Sequence, residues 1–127
     1  MTTVEAVVVV ETIPTMTSKK NILQTPVTIS SSKEEIFEAL HQNDKKGVLI
    51  ERIISAGQIT PENEWYDQEK DEWVVLLQGK ATLLFDEVGG ELLSLKGGDS
   101  VFIEAKRKHR VVFTSKEPAC IWLAVHF

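Results

Sequence analysis

The chain has 127 residues, of which 43% are hydrophobic and 26% charged, as expected for one globular domain with a substantial core. Acidic residues outnumber basic residues by 19 to 14, and the net charge of −5 argues against a nucleic-acid partner, because phosphate binding requires a basic surface. The single cysteine, Cys120, excludes an intrachain disulfide and is predicted to be buried. No apolar run could span a membrane and no signal peptide is evident, so we expect a cytoplasmic protein.

The first forty residues are predicted to contain an extension and one helix. Residues 1–20 hold a β-branched run followed by a polar connection, and we interpret them as an N-terminal extension that is frayed or pairs with a sheet edge. Ser32 and Glu35 have the spacing of a capping box, in which the two side chains satisfy the first backbone N–H groups of a helix. The apolar residues that follow predict a short helix over about residues 33–41.

From residue 47 onward the pattern is typical of β-strands. Short β-branched and aromatic segments lie at 47–55, 72–78, 80–86, 91–95, 100–104, 109–115 and 120–127, and turn residues separate most of them. Short strands at regular spacing predict an all-β sandwich or barrel. Several strands are apolar on both faces, which indicates that one face fills the barrel and a second layer or a partner subunit covers the other.

Two residue spacings carry a resemblance to a known family. Glu72 is followed by six residues and then Gly79, within DEWVVLLQG, and His109 stands eleven residues after Gly98, within GGDSVFIEAKRKH. These segments resemble the two motifs of the cupin superfamily. The first family motif ends in Glu, six residues and Gly. In the second family motif, a His follows the first Gly at the same distance that separates His109 from Gly98 here.

The resemblance spans residues 47–127, with motif one at 64–79 and motif two at 98–113. It implies a single cupin domain over residues 21–127, a jelly-roll-type β-barrel preceded by the short helix. The segments WYDQEKDEWVVLLQG and WLAVHF also resemble a subgroup of small single-domain bacterial cupins whose function is mostly unassigned. Such cupins are usually homodimers, so a homodimer is expected here.

The family's paired metal-binding histidines are absent from this sequence. Counting back from Glu72, their positions fall on Tyr66 and Gln68, or on Trp65 and Asp67 with the longer family spacing. Oxygen and aromatic groups therefore stand where the family carries imidazoles.

Three interpretations of the barrel interior stay open. Alternation along the strands places His109 and Glu72 on interior faces, where they could pair directly without a metal. A second interpretation adds Asp67 to Glu72 and His109 as ligands of a divalent metal, with Gln68 as an alternative; such a set suits Zn, Mn, Fe or Ni. A third is metal-free chemistry with His109 as base and Tyr66 as acid, Glu72 orienting the imidazole.

The remaining candidates are pocket residues. Gln68, Trp65 and His126 are predicted to line a pocket, although periodicity does not decide the direction of His126, because both faces of its strand are apolar. Glu51 and Arg52 alternate, so one of them faces inward.

The expected function is therefore to bind a small molecule inside the barrel. With a divalent metal at this site, the protein is expected to be a metal-dependent enzyme acting on a small polar substrate. Two alternatives stay open: a non-catalytic ligand-binding or sensing module without metal, and a metal-free His/Tyr isomerase or epimerase.

Overall fold

The fold is all-β throughout the part of the chain that the computed structural model describes, which is residue 17, residues 19–25 and residues 34–127. Eight strands follow one another in two antiparallel sheets, a five-stranded sheet in the order β1-β2-β8-β3-β6 and a three-stranded sheet in the order β5-β4-β7. Their bounds are β1 Ile36–Asn43, β2 Val48–Ser55, β3 Glu72–Gln78, β4 Lys80–Phe85, β5 Leu92–Lys96, β6 Ser100–Ile103, β7 His109–Thr114 and β8 Cys120–His126. The predicted all-β fold is confirmed.

The prediction of a helix over about residues 33–41 is wrong for residues 34–41, the part of this segment that the structure describes. Ile36–Asn43 form strand β1, which pairs antiparallel with β2. The Glu35 side chain, expected to cap a helix, instead accepts a hydrogen bond from Ser55 Oγ at 2.9 Å. Pairing with β2 satisfies the backbone of the segment, and this tertiary contact overrides its local helical pattern.

The predicted N-terminal extension, residues 1–20, lies almost entirely outside the described residues, and its pairing with a sheet edge stays a prediction. The neighbouring described segment, residues 19–25, contacts the five-stranded sheet through Arg52. The Arg52 guanidinium donates hydrogen bonds to the carbonyl oxygens of Ile22 at 3.0 Å and Gln24 at 2.7 Å. Arg52 thus faces away from the barrel interior, and Glu51 faces inward.

The hydrophobic core lies between the two sheets. It is built by buried residues of both, namely Val74, Leu76, Ala81, Leu83, Phe85, Leu95, Ile103, Cys120, Trp122 and Ala124. Cys120 is fully buried, as predicted. Within the described ranges, no helix is long and apolar enough to cross a membrane. The core fills one part of the space between the sheets and leaves a cavity in the rest.

Candidate functional site

A cavity lies between the two sheets, with about 490 Å³ of empty space that includes its opening to solvent. Its apolar walls come from both sheets, for example Ile53 and Val74 from the larger and Leu83 and Val111 from the smaller. The polar side chains that line it are Glu35, Glu51, Tyr66, Gln68, Glu72, His109 and His126. A mostly apolar cavity with a few convergent polar groups is the usual form of a small-molecule site.

His109 is held at the start of β7 by the chain segment that precedes β3. Tyr66 and His109 exchange backbone hydrogen bonds of 2.8 and 3.2 Å, and their rings stack with centroids 5.4 Å apart. The His109 Nδ1–H donates to the Arg107 carbonyl oxygen at 2.9 Å, so Nε2 is the free basic atom. Burial lowers the pKa of His109 and keeps the imidazole neutral near pH 7.

Glu72 faces this free nitrogen without bonding to it. Glu72 is 6% exposed, and its Oε1 lies 3.7 Å from His109 Nε2, which is too long for a hydrogen bond. Burial raises the pKa of Glu72 to about 7, against the opposing effect of His126. A direct hydrogen bond between His109 and Glu72 is therefore not made, although the two groups lie within ion-pair distance. The Arg107 carbonyl contacts the other ring nitrogen, and a role of Glu72 in orienting the imidazole stays a prediction.

A second polar pair lies beside the first. His126 Nε2 and Glu51 Oε1 are 2.8 Å apart, and His126 stands opposite Glu72 in the pairing of β8 with β3. Burial disfavours the imidazolium, but the hydrogen bond to Glu51 and the nearby Glu72 carboxylate outweigh it and raise the pKa of His126. His126, whose direction the sequence did not decide, thus lines the cavity and forms an ion pair with Glu51 when protonated.

Glu35 is a cavity residue that the sequence analysis assigned to a helix cap. Its carboxylate is bonded to Ser55, and burial raises its pKa to about 7. In an extended chain, Glu35 lies on the same side as Phe37, which also lines the cavity. This two-residue alternation is the sequence signal for Glu35 as a cavity residue, but the capping-box spacing favoured a helix instead.

The three ligands predicted for a divalent metal are not brought together. Asp67 is absent from the cavity lining, whereas its neighbours Tyr66 and Gln68 both line it. Asp67 Oδ1 is buried with no hydrogen-bond partner among the described residues. In the same part of the chain, no group of three or more His, Cys, Asp or Glu residues is placed to hold a metal ion. Glu72 and His109 alone are fewer than the three or four protein ligands usual for a bound metal ion.

The other predicted pocket residues divide between the interior and the surroundings. Gln68 lines the cavity. Trp65 does not, and the centroid of its ring lies 5.8 Å from the Arg110 guanidinium.

Tyr66 also lines the cavity. Burial and the Glu35 and Glu72 carboxylates raise its pKa, so its phenol stays protonated. Trp122 forms part of the cavity wall.

A two-sheet antiparallel barrel with a cavity between its sheets is the architecture of the cupin class. The model of the Cupin domain family matches residues 51–126, and the chain belongs to this family. The predicted resemblance is confirmed. No curated protein sequence matches the chain.

Solved structures extend the comparison. A proposed mannose-6-phosphate isomerase from Ralstonia eutropha JMP134 is 35% identical, covers 87% of this chain and 97% of its own, and superposes with a TM-score of 0.76. A cupin superfamily protein from Desulfitobacterium hafniense DCB-2 is 21% identical over 87% of this chain and 98% of its own, with a TM-score of 0.61. Hydroxypropylphosphonic acid epoxidase from S. wedmorenis is 15% identical over 73% of this chain and 51% of its own, with a TM-score of 0.62. That enzyme has been solved with Fe(II). The last two similarities concern the fold alone.

Proposed function

We propose that the protein binds a small polar molecule inside its barrel and moves a proton on that molecule, with His109 and Glu72 as the proton-transferring pair. The observation that carries this proposal is the facing of His109 Nε2 and Glu72 Oε1 across 3.7 Å, both buried and not bonded to each other. Two titratable groups left free in a cavity are more typical of a reaction site than of a structural pair.

The environments of the two groups suit acid–base exchange near neutral pH. His109 is neutral and offers the Nε2 lone pair, because Nδ1 is committed to a backbone carbonyl. Glu72, with a pKa of about 7, is protonated in part of the molecules and ionised in the rest. Proton transfer is most efficient when the pKa of the acting group lies near the working pH.

Tyr66 is proposed as the hydrogen-bond donor to a substrate oxygen. Its phenol stays protonated because burial and neighbouring carboxylates raise its pKa. Stacking on His109 holds it on the same wall of the cavity as the imidazole. A protonated phenol beside a base can stabilise negative charge that develops on a carbonyl oxygen when an adjacent C–H bond loses its proton.

The reaction class that these roles support is isomerisation or epimerisation next to a carbonyl group. A base removes a proton from carbon, the oxygen charge is stabilised, and an acid returns a proton to the same or the neighbouring carbon. The relative that is 35% identical bears the name of a sugar isomerase, which supports this class.

The test is solvent deuterium exchange into small hydroxy-carbonyl compounds. Protein in D₂O is incubated with mannose, fructose and dihydroxyacetone, and loss of the C–H signal next to the carbonyl is followed by NMR. We expect exchange that His109→Gln lowers by about 10²-fold or more. Glu69→Gln, an exposed carboxylate paired with Lys106, is the matched control and should leave the rate unchanged. A ligand that binds and is returned without exchange would indicate the non-catalytic binding module.

Metal content provides an independent prediction. Protein purified without an affinity tag is expected to carry well below one equivalent of Zn, Mn, Fe or Ni, because no three His, Cys, Asp or Glu side chains among the described residues are placed to hold a metal ion together. Elemental analysis and exchange rates before and after chelation measure this. Stoichiometric metal that His109→Ala removes, with exchange that chelation abolishes, would establish the metal-dependent alternative.

A further inference from the structure

We propose that the barrel selects a positively charged ligand, a small amine, over an anionic one such as a phosphorylated or carboxylated compound. This inference rests on the proposed function only in taking the cavity as the ligand site. It adds the charge of the molecule that the cavity accepts.

The cavity carries carboxylates without matching cations. Glu35, Glu51 and Glu72 line it, and no Lys or Arg does so among the described residues. His126 is the partner of Glu51 at 2.8 Å, and the partner of Glu35 among the described residues is the Ser55 hydroxyl. At neutral pH and above, the lining therefore has an excess of negative charge.

Arg52, Arg107 and Arg110 lie close in sequence to cavity-lining residues, but each contacts another group; Arg110 donates to the Thr60 carbonyl oxygen at 3.1 Å. Arg52 points to the opposite face of β2, where it pairs with Glu38. The Arg107 guanidinium lies 3.9 Å from the centroid of the Phe85 ring and pairs with Glu87 and Glu91. Apart from the His126 imidazolium, a cation for the interior carboxylates would therefore come from a ligand.

Glu72 gives the independent sign of a missing partner. It is 6% exposed, lines the cavity and makes no hydrogen bond to any described residue. A buried carboxylate with too few donors or cations is unfavourable, and burial raises the pKa of Glu72 despite the nearby His126 and that of Glu35 despite its hydrogen bond from Ser55. A ligand ammonium would provide the missing charge.

The aromatic lining favours the same kind of ligand. Tyr66 and Trp122 contribute to the cavity wall. Faces of Tyr and Trp rings attract cations, whereas they offer nothing comparable to an anion. A phosphate or carboxylate would instead face Glu35 and Glu72 without a compensating cation, and like charge is an effective means of rejecting a ligand.

The experiment uses three probes that differ mainly in charge: ethanolamine, ethylene glycol and glycolate. Each is titrated into protein with labelled Ile and Val methyl groups at about pH 8, and shifts of Ile53 and Val74, which line the cavity, report binding. We expect ethanolamine to bind at least about tenfold more tightly than ethylene glycol, and glycolate to bind more weakly than both.

The affinity for ethanolamine should depend on pH. It should rise between about pH 6 and pH 8, because Glu35 and Glu72 ionise in this range. The other titratable groups that line the cavity are Glu51, His126, His109 and Tyr66.

Two variants locate the effect. Glu72→Gln and Glu35→Gln are each expected to weaken ethanolamine binding by about tenfold while leaving ethylene glycol binding unchanged. Glu69→Gln, on the exposed surface, should alter neither. Using both cavity variants keeps the test decisive if one of them fails to fold.

Equal or tighter binding of glycolate, or no binding of any probe, would overturn the inference. Its failure is distinguishable from failure of the proposed function, because the probes report binding and the deuterium experiment reports proton transfer. Exchange with neutral compounds but no charge preference would reject the amine inference alone. Ethanolamine selection with no exchange on any compound would support the inference and reject the proton transfer.

Discussion

Glu72→Gln is expected to lower the rate of C–H exchange by about 10²–10⁴-fold, the range usual for loss of a general acid or base. Glutamine has nearly the same shape but neither accepts nor releases the proton. His109 keeps its bond to the Arg107 carbonyl, so the imidazole stays oriented in the variant. The pH profile should also change, because the inflection near pH 7 that belongs to Glu72 disappears.

The same substitution should stabilise the protein at alkaline pH. The pKa of Glu72 is raised from 4.5 to about 7, so the native state holds the proton more tightly than the unfolded chain. This contribution to stability is fully present below about pH 4.5 and is lost as pH rises through about 7. Relative to wild type, the free energy of unfolding of Glu72→Gln should therefore rise by ~1–3 kcal/mol between pH 5 and pH 8.

Urea unfolding at the two pH values measures this difference, with Glu69→Gln as the control that should show none. A variant that is inactive yet more stable at pH 8 would identify Glu72 as a group retained for function at the expense of stability. Lower stability at both pH values would instead mean that Glu72 holds the fold together, and the catalytic interpretation would lose its main support.

The strands after residue 71 were predictable because their pattern and their partners agree. Short β-branched segments alternate with turn residues, and pairing within two sheets satisfies the same backbone groups. The strand at residues 36–43 could not be predicted, because the capping-box spacing and the helical pattern of apolar residues are local signals that favour a helix. The decisive contact is with β2, about ten residues further along, and no local pattern shows that pairing.

The candidate site was predictable where residue spacing fixes register. Glu72, His109 and Tyr66 all reach the cavity, and the bridge between Tyr66 and His109 sets which neighbours alternate inward. The sequence was compatible with two spacings of the family motif, one placing Tyr66 and Gln68 at the site and the other Trp65 and Asp67. The bridge between Tyr66 and His109 agrees with the first spacing, since Gln68 lines the cavity and Asp67 does not. The Glu51–His126 pair could not be foreseen, because β8 is apolar on both faces and strand periodicity then carries no direction.

Arg52→Met is expected to lower the free energy of unfolding by ~3–5 kcal/mol, the usual result of removing one partner from a buried ion pair. Arg52 is 4% exposed and lies 2.5 Å from the Glu38 carboxylate, which is itself buried. Among the described residues, the variant leaves that carboxylate with Lys20, which is partly exposed, as its cation. It also removes the donor to the Ile22 and Gln24 carbonyls, so the segment 19–25 should be cleaved faster by proteases.

The charge state of Glu38 provides the internal check on this interpretation. Burial alone would raise the pKa of Glu38, but its bonds to Lys20 and Arg52 outweigh burial and lower it. Because the folded pKa is depressed, the pair stabilises the protein above the usual carboxyl range, and that stability is lost as pH falls through the folded pKa. The penalty of Arg52→Met should therefore shrink in acid.

Two further variants separate ion pairing from packing. Replacing both residues, Arg52→Met with Glu38→Met, should recover much of the lost stability, because no buried charge is then left unpaired. Lys96→Met removes an exposed lysine whose Asp99 partner lies at 3.7 Å, and should change the free energy of unfolding by less than ~1 kcal/mol. If the double variant is no more stable than Arg52→Met, the bonds from Arg52 to the carbonyls of residues 22 and 24, rather than its pairing with Glu38, are the main source of its stabilising effect.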